Sequence, residues 1–578
     1  MAEKENKKKL ETLRHSCSHV MAQAVKELWP NVKVAIGPAI DNGFYYDFER
    51  SDPFSTDDLK KIEKAMRRII QDKPKIVQSL MPKKEALELF EKQGEIYKVE
   101  LIENLEDEQV SVYQTGDGFL DLCKGPHVDN AGEIKAFKLL SVAGAYWRGD
   151  ETKQMLQRIY GTCFPSEKEL KEYLAMLEEA QKRDHRKLGP QLDLFNFYQE
   201  EAGAGLIFYH PNGAMLRKII EDYIKDENIK QGYDLVQTPN ILKGKLWETS
   251  GHSEYYRENM YYFDVDNQEY AVKPMNCPGH ILIYKSKTRS YRDLPVRLFE
   301  LGTVYRHEKA GVLHGLLRLR GFTQDDGHIF CREDQVKDEV MSVIEFVFKV
   351  MKTFGFNDYE IELSTRPEKF IGDIKDWEIA TNALEESLKQ KEIEYQINEG
   401  DGAFYGPKID IKLKDAIGRS WQCATIQCDF ALPERFKMTY INEEGKEKKP
   451  IMIHRAILGS VERFFGTLIE HYAGAFPLWL APIQAAIIPI REEHQAFAKQ
   501  IKEDLQTNGF RVIIDTSNET LNKKIRENSV KKIPYLIILG DKEVETREVS
   551  VRKRGGNQTN IAFDALVEQF KKEVVQKV

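Results

Sequence analysis

The stretch 272–280, VKPMNCPGH, places one thiol, Cys277, three residues before one imidazole, His280, with no second cysteine nearby. A single Cys–His pair does not make a metal site, so any partners must come from distant segments. Two imidazoles are suitably placed: His328 in TQDDGHIFC, on an expected strand, and His454 in PIMIHRAILGSVERFFG, just ahead of an expected helix. Zinc takes nitrogen and sulfur ligands, and a site that handles substrate keeps one coordination position open. Cys277, His328 and His454 would meet that requirement. Cys331 and His314 are equally available by chemistry, and a buried cysteine is also ordinary core filling. A second group lies near the N-terminus, where HSCSH sets His15 and His19 four apart on one helix face and CKGPH sets Cys123 and His127 on a turn. Four such side chains are enough for a tetrahedral metal site.

These groups need elements to hold them. Residues 10–29 have helical apolar spacing, and VKVAIGPAIDNGFYYDFE alternates with Gly-Pro and Asn-Gly breaks, which predicts strands and a hairpin. With the amphipathic helix STDDLKKIEKAMRRIIQ and the later strands, residues 1–165 are expected to form one α+β domain. Residues 166–190 predict a charged connecting helix opened by a Ser166–Glu169 capping box and stopped at Gly189-Pro190. Residues 191–480 carry many short strands (YAVKPMNC, VRLFELGTVYRHE, LRGFTQDDGHIFC, YEIELSTR, KIDIKLKDA and SWQCATIQCDF), which predict a large, mainly antiparallel sheet. Residues 481–578 alternate strands and helices and predict a small α/β domain.

The bulk numbers fit this division. At ~150 residues per domain, 578 residues suggest three or four domains. The formal net charge of -8 argues mildly against a nucleic-acid protein but leaves room for local basic patches. Seven cysteines are few and odd in number, which points to a reducing compartment. The charged start MAEKENKKKLETL lacks a signal-peptide core. No apolar run approaches the ~20 residues that span a bilayer, so the expectation is a cytoplasmic protein with no membrane partner.

The neighbourhood of the candidate ligands narrows the reading. VYRHEKAGVLHGLLRLRGFTQDDGHIF runs arginine, turn, arginines and then strand acids, and ILGSVERFFG has Gly459 and Arg463 in a Gly-x-x-x-Arg helix start. These resemble motifs 2 and 3 of the class II aminoacyl-tRNA synthetases, with Arg306 on the motif 2 strand, and YDLVQTPNI near Pro239 resembles motif 1, which in that class lies at the dimer interface. MNCPGH, RGFTQDDGHIF, FYGPKIDI and IHRAILGSVERF together resemble the threonyl-tRNA synthetase family, from about residue 10 to the C-terminus.

The resemblance implies a fold: a class II antiparallel-sheet catalytic domain, an N-terminal editing domain and a C-terminal anticodon-binding domain. It also implies a homodimer acting on ATP, L-threonine and tRNA(Thr), with magnesium accompanying ATP. One zinc per subunit would be held by Cys277, His328 and His454. Arg306 would hold the α-phosphate and the carboxylate, while Arg318 and Arg463 would grip the outer phosphates, with Glu308 and Gln422 as further nucleotide contacts. Asp326 would orient the amino and hydroxyl groups of threonine, beside Gln324, Tyr405 and Gln427. His252 would serve the transfer step, as a general base or as a hydrogen-bonding group. His15, His19, Cys123 and His127 would form a site that hydrolyses seryl-tRNA, with Asp121, Lys98 and Tyr46; the metal-site alternative for these four stays open.

Glu543 and Arg552 are candidates for anticodon contact, and VSVRKRGG for phosphate contact or a plain hairpin. The chain runs almost directly into LRHSCSH, whereas most bacterial members begin with a ubiquitin-like domain, so a form without that domain is expected. Two other readings compete. A prolyl-type synthetase would share motifs 1 to 3, and a non-catalytic RNA-binding regulator of translation should have lost motif arginines or zinc ligands.

Overall fold

The computed structural model describes residues 2–577, with side chains from residue 5. The chain divides into two compact units, Met1–Glu178 and Glu179–Val578.

The first unit is built on the helix Ala2–Leu28, whose Leu13, Cys17, Val20, Met21 and Ala24 are buried at helical spacing. They face a five-stranded sheet in which Gly43–Glu49, Met155–Phe164 and Ala136–Tyr146 lie side by side. Ser55 starts a second helix, Thr56–Asp72, by accepting the Asp58 backbone N–H at 3.2 Å while the Asp58 carboxylate accepts the Ser55 N–H at 3.1 Å. A three-stranded sheet, Ile76–Pro82, Gln109–Thr115 and Phe119–Leu122, carries the CKGPH turn at its end.

The charged connector is two helices where the sequence reads as one. Glu167–Arg183 opens with Ser166 Oγ accepting the Glu169 N–H at 3.3 Å, as the capping pattern predicts. The helix then ends at Asp184, whose carboxylate accepts the Arg186 N–H at 2.8 Å and starts a new helix, His185–Gln191, that runs through Pro190.

The second unit holds an eight-stranded sheet in the order 234–235, 296–305, 321–331, 451–460, 420–429, 408–414, 359–364, 396–398. All neighbours are antiparallel except the pairs at the two edges. Alternation divides its residues. Ile329, Ile453, Ala424, Ile426, Ile409 and Ile411 join the main core together with the helices Pro211–Lys230, Val336–Thr353 and Val461–Tyr472. The alternate positions, Gln324, Asp326, His328, His454 and Gln427, line a cavity on the opposite face.

Three positions differ from the sequence reading. Cys277 opens a helix, Cys277–Lys285, because the strand before it stops at Val272 and Pro278 suits the first helical turn. His454 stands inside the strand Ile451–Ser460, several residues ahead of the helix it was expected to precede. Arg306 lies one residue past the end of the strand Val296–Tyr305, although its N–H still bonds the Arg320 carbonyl at 2.8 Å.

Residues 485–562 form a mixed sheet in the order 512–514, 485–489, 535–539, 548–553, 558–562, parallel in its first three strands. The short helix Asp541–Thr546 was not foreseen. No helix among the described residues is long and apolar enough to cross a membrane.

Candidate functional site

The cavity on the open face of the eight-stranded sheet has a volume of about 340 Å3. Cys277, His328 and His454 form one end, and one ligand atom from each lies within 4.8 Å of the others. His328 and His454 are direct partners on adjacent strands. Their inner nitrogens, His328 Nε2 and His454 Nδ1, are 3.0 Å apart. The outer nitrogens have their own partners. His454 Nε2 is 2.8 Å from Asp429 Oδ2, and His328 Nδ1 is 2.8 Å from His280 Nδ1. A carboxylate behind an imidazole puts the hydrogen on the outer nitrogen and leaves the inner lone pair bare, the usual second layer of a metal centre. Burial pushes the His328 pKa well below 6.5, so its ring is neutral, and pushes the Cys277 thiol well up. A thiol so placed ionises only against a cation, and one sulfur with two imidazole nitrogens suits zinc. Cys331 lies in the main core, and the His314 ring faces His185 at 6.4 Å and lies outside the cavity lining, so neither competes for the position. His280, which the sequence offered only as a neighbour, stands behind the candidate ligand His328.

The substrate candidates surround this end. Asn276 Nδ2 donates to Asp326 Oδ2 at 3.0 Å, and Tyr405 Oη donates to Gln427 Oε1 at 2.7 Å. Gln324 lines the same wall. At the other end Arg463 Nε donates to the Leu317 carbonyl at 3.3 Å and its Nη1 to the Gln422 carbonyl at 3.4 Å, while Arg306 Nε donates to the Pro274 carbonyl at 3.2 Å. Burial, and then the neighbouring Arg306 and Arg318, lower the Arg463 pKa from 12.5. Crowded cations of this kind suit an anionic ligand. Gln422 also lines the cavity, its Nε2 donating to Asp410 Oδ1 at 2.8 Å. Glu308 and Arg318 lie outside the lining and pair with each other at 3.1 Å.

His252 is fully buried behind the cavity wall, with Nδ1 2.7 Å from Ser250 Oγ and Nε2 2.8 Å from the sulfur of Met275, itself a lining residue. Burial, followed by the Arg306 charge, lowers its pKa to about 3.

Sequence reasoning missed Asp325. Its carboxylate accepts the N–H groups of Ile457 at 2.8 Å and Leu458 at 3.0 Å, where the pairing register with the strand Ile451–Ser460 shifts. That bulge delivers Gly459, Ser460 and Arg463 to the cavity. The adjacent acids in TQDDGH carried the signal, since alternation requires them to face opposite ways.

The first unit brings all seven of its candidates together. Cys123 Sγ is 3.3 Å from His15 Nε2 and 3.2 Å from His127 Nε2, and it accepts the Gly125 N–H at 3.2 Å. The rings of His15 and His19 each lie 4.2 Å from that of His127. Beneath them Tyr46 Oη donates to Asp121 Oδ2 at 2.6 Å, Lys98 pairs with Asp121 and donates to Tyr46 Oη at 3.0 Å, and His19 Nε2 is 3.5 Å from Asp121. Burial, then the neighbouring imidazoles, lowers the His127 pKa to about 2, and burial raises the Cys123 thiol to about 11. The four His and Cys donors lie within 4.8 Å of one another, so this set too could hold a metal.

In the last sheet Arg552 is exposed on the strand Glu548–Lys553, whereas the Glu543 carboxylate accepts the Gly540 N–H at 2.9 Å.

Three family descriptions match the chain: "Threonyl and Alanyl tRNA synthetase second additional domain" over residues 110–160, "tRNA synthetase class II core domain (G, H, P, S and T)" over 261–472, and "Anticodon binding domain" over 484–573. The threonine–tRNA ligase of Oleidesulfovibrio alaskensis is 58% identical over 549 residues, covering 95% of this chain and 85% of the relative. That of Pelobacter propionicus is 58% identical over 547 residues, covering 95% and 86%. A solved threonyl-tRNA synthetase RNA-binding domain from Cryptosporidium parvum Iowa II superposes with a TM-score of 0.66 at 42% identity, covering 68% of this chain and 98% of that one. With the class II core, the anticodon-binding domain and the additional domain all in one chain, and this identity across nearly its full length, the chain belongs to the threonine–tRNA ligase family.

Proposed function

We propose that the chain activates L-threonine with ATP to threonyl-adenylate and transfers it to the 3'-hydroxyl of tRNA(Thr). The carrying observation is one cavity with a Cys-His-His donor set at one end and Arg306 and Arg463 at the other. Cys277, His328 and His454 would hold one zinc per subunit. The bound ion would supply an open coordination position for the amino and β-hydroxyl groups of threonine, which valine cannot complete. Asp326, fixed by Asn276, accepts from those same groups, and Gln324, Tyr405 and Gln427 shape the wall.

Arg306 would stabilise the charge that builds as the threonine carboxylate oxygen attacks the α-phosphorus and pyrophosphate leaves. Arg463 and Gln422 bind the nucleotide beside it. Arg318, once released from Glu308, would bind the outer phosphates, whose charge magnesium accompanying ATP would help to neutralise. His252 is given a hydrogen-bonding role, holding Met275 in place, because a buried ring with a pKa of about 3 is a weak base.

Serine also carries a β-hydroxyl, and loss of one methyl gives only about 10- to 200-fold discrimination. His15, His19, Cys123 and His127, over the Asp121–Lys98–Tyr46 network, are proposed to hydrolyse seryl-tRNA. The convergence of four donors favours a second reading, a metal centre in this unit. Metal analysis of the full chain separates them, with one zinc per subunit for editing and two for the alternative.

The separate cores of residues 13–163, 188–481 and 478–570 support an editing domain at 1–165, a linker at 166–190, a catalytic domain at 191–480 and an anticodon-binding domain at 481–578. Arg552, exposed in the last domain, is proposed to contact the anticodon; Glu543 would have to give up its backbone bond to do so. Exposed Ile229, Leu235 and Ile241 around motif 1 support a homodimer, and a cytoplasmic location is proposed with it from the family reading alone.

The test is pyrophosphate exchange into ATP with threonine, serine or valine, before and after chelation. Exchange with threonine, less with serine, almost none with valine and loss on chelation are expected. A folded, zinc-loaded protein that exchanges nothing with threonine would sink the reading in favour of an RNA-binding regulator.

A further inference from the structure

Three segments of the second unit meet on one imidazole. His185 opens the helix His185–Gln191 and is fully buried. Its Nδ1 lies 2.6 Å from Glu470 Oε1, on the helix Val461–Tyr472 that also carries Arg463. Its Nε2 accepts the backbone N–H of Leu316 at 2.9 Å. An Nε2 that accepts is bare, so the ring hydrogen is on Nδ1 and points at the carboxylate. Arg419 holds the other Glu470 oxygen. The seat is tight, since a Cβ on Gly315, at φ +50, would come within 2.2 Å of His185 Nε2.

What the ring holds is a loop. Leu316 lies between the strands Val296–Tyr305 and Gly321–Cys331. The next carbonyl, Leu317 O, accepts Arg463 Nε at 3.3 Å, and Arg318 follows directly. The residue that His185 holds, Leu316, is therefore next to Leu317, whose carbonyl accepts Arg463, and two residues before Arg318 along the backbone.

We propose that His185 is a positioning residue for the nucleotide: it fixes residues 315–318 against the helix Val461–Tyr472 so that Arg318 and Arg463 face the same ligand. This rests on the reading of these arginines as nucleotide contacts. An apolar side chain of equal size would fill the space and leave the Leu316 N–H buried without an acceptor, and the loop would move until water reached it.

Two variants of the full chain separate the two ring bonds. Asparagine places its polar atoms near Nδ1, so His185→Asn keeps the Glu470 bond and loses the Leu316 acceptor. Glutamine reaches the Nε2 position, so His185→Gln keeps that acceptor. The readouts are KM for ATP and for threonine in pyrophosphate exchange, calorimetric ATP binding, and amide hydrogen exchange across residues 308–318.

His185→Asn is expected to weaken ATP roughly tenfold, to leave threonine unchanged and to speed exchange at 314–318, while His185→Gln stays near the parent. Equal losses in both variants, affecting both substrates, would reduce His185 to a structural residue and overturn the proposal. Faster loop exchange with unaltered ATP affinity would overturn it as well. Because ATP binding and loop exchange are read without turnover, an inactive parent protein would count against the proposed function and leave this test standing.

Discussion

At the scale of single residues, the donor set makes the sharpest prediction. Cys277→Ser removes the only sulfur of the proposed zinc site, so the purified variant is expected to lack the zinc of the parent, and mass spectrometry of the native protein would detect this directly. His280→Gln leaves all three ligands in place but removes the imidazole behind His328. It is expected to weaken zinc about 10- to 100-fold in a chelator competition, the usual effect of a lost outer partner.

The imidazoles of the first unit predict a pH effect. Above 6.5, folded and unfolded chains hold equal protons on His19 and His127, and these rings contribute nothing to pH dependence. Below it the unfolded chain takes up protons that the buried rings refuse, so stability falls with pH until the folded value is reached, about 2 for His127. The slope is at most about 1.4 kcal/mol per pH unit for each ring. Hydrogen exchange across residues 2–178, corrected for intrinsic rate, should show protection falling as pH drops from about 7 to about 5, and His19→Gln should flatten the fall. Equal protection at both ends would count against buried neutral rings.

The chemistry at this scale was largely legible in the sequence, because thiols, imidazoles and guanidiniums announce what they can do. Choosing Cys277 over Cys331 was not a matter of chemistry. It depended on a helix start facing a strand more than fifty residues away.

At the scale of elements, pattern reading succeeded where alternation was clean. TQDDGHIFC is the strand Gly321–Cys331, and YEIELS, KIDIKLK and SWQCATIQCD are strands as expected. It failed at junctions. IMIHRAILGS is apolar on both sides of His454 and Arg455 without a clear alternation, and a short apolar run does not declare itself strand or helix. SEKELKEYLAMLEEAQKRDHRKLGPQ holds helical composition throughout, so the break at Asp184 depended on a cap that competes locally with continuing the helix.

The bulge opposite Asp325 was invisible for a different reason: it arises from the fit between two strands and from neither alone. It yields a prediction at its own scale. Gly459 holds φ +75, and a Cβ there would lie 2.5 Å from the Cys423 carbonyl. Gly459→Ala is expected to lower stability by about 1–3 kcal/mol and to raise the KM for ATP while leaving that for threonine near its original value. Asp325→Ala, which strands two buried N–H groups, should lower stability by a similar or larger amount in chemical denaturation.

At the scale of the whole molecule, two compact units imply that the two proposed chemistries are separable. Residues 179–578 alone should keep threonine-dependent pyrophosphate exchange and accumulate seryl-tRNA that the full chain clears, as a charging assay with serine would show. A fragment that charges threonine but clears seryl-tRNA unaided would move the editing function out of the first unit. The domain order was legible because each segment has its own periodicity. The exposed face near Ile229, Leu235 and Ile241 was not, since exposure is a property of the folded surface.

The pairing of His328 with His454 carries a last consequence. The two residues are 126 apart in the chain and exact partners across two strands. Side chains alternate with period two, so slipping the pairing by one residue would turn one imidazole away into the core. A chain still being made, with Cys277 and His328 already out and residue 454 not yet added, has two thirds of the donors and nowhere to use them. The proposed amino-acid pocket is thus completed only when strands far apart in the chain pair in the right register.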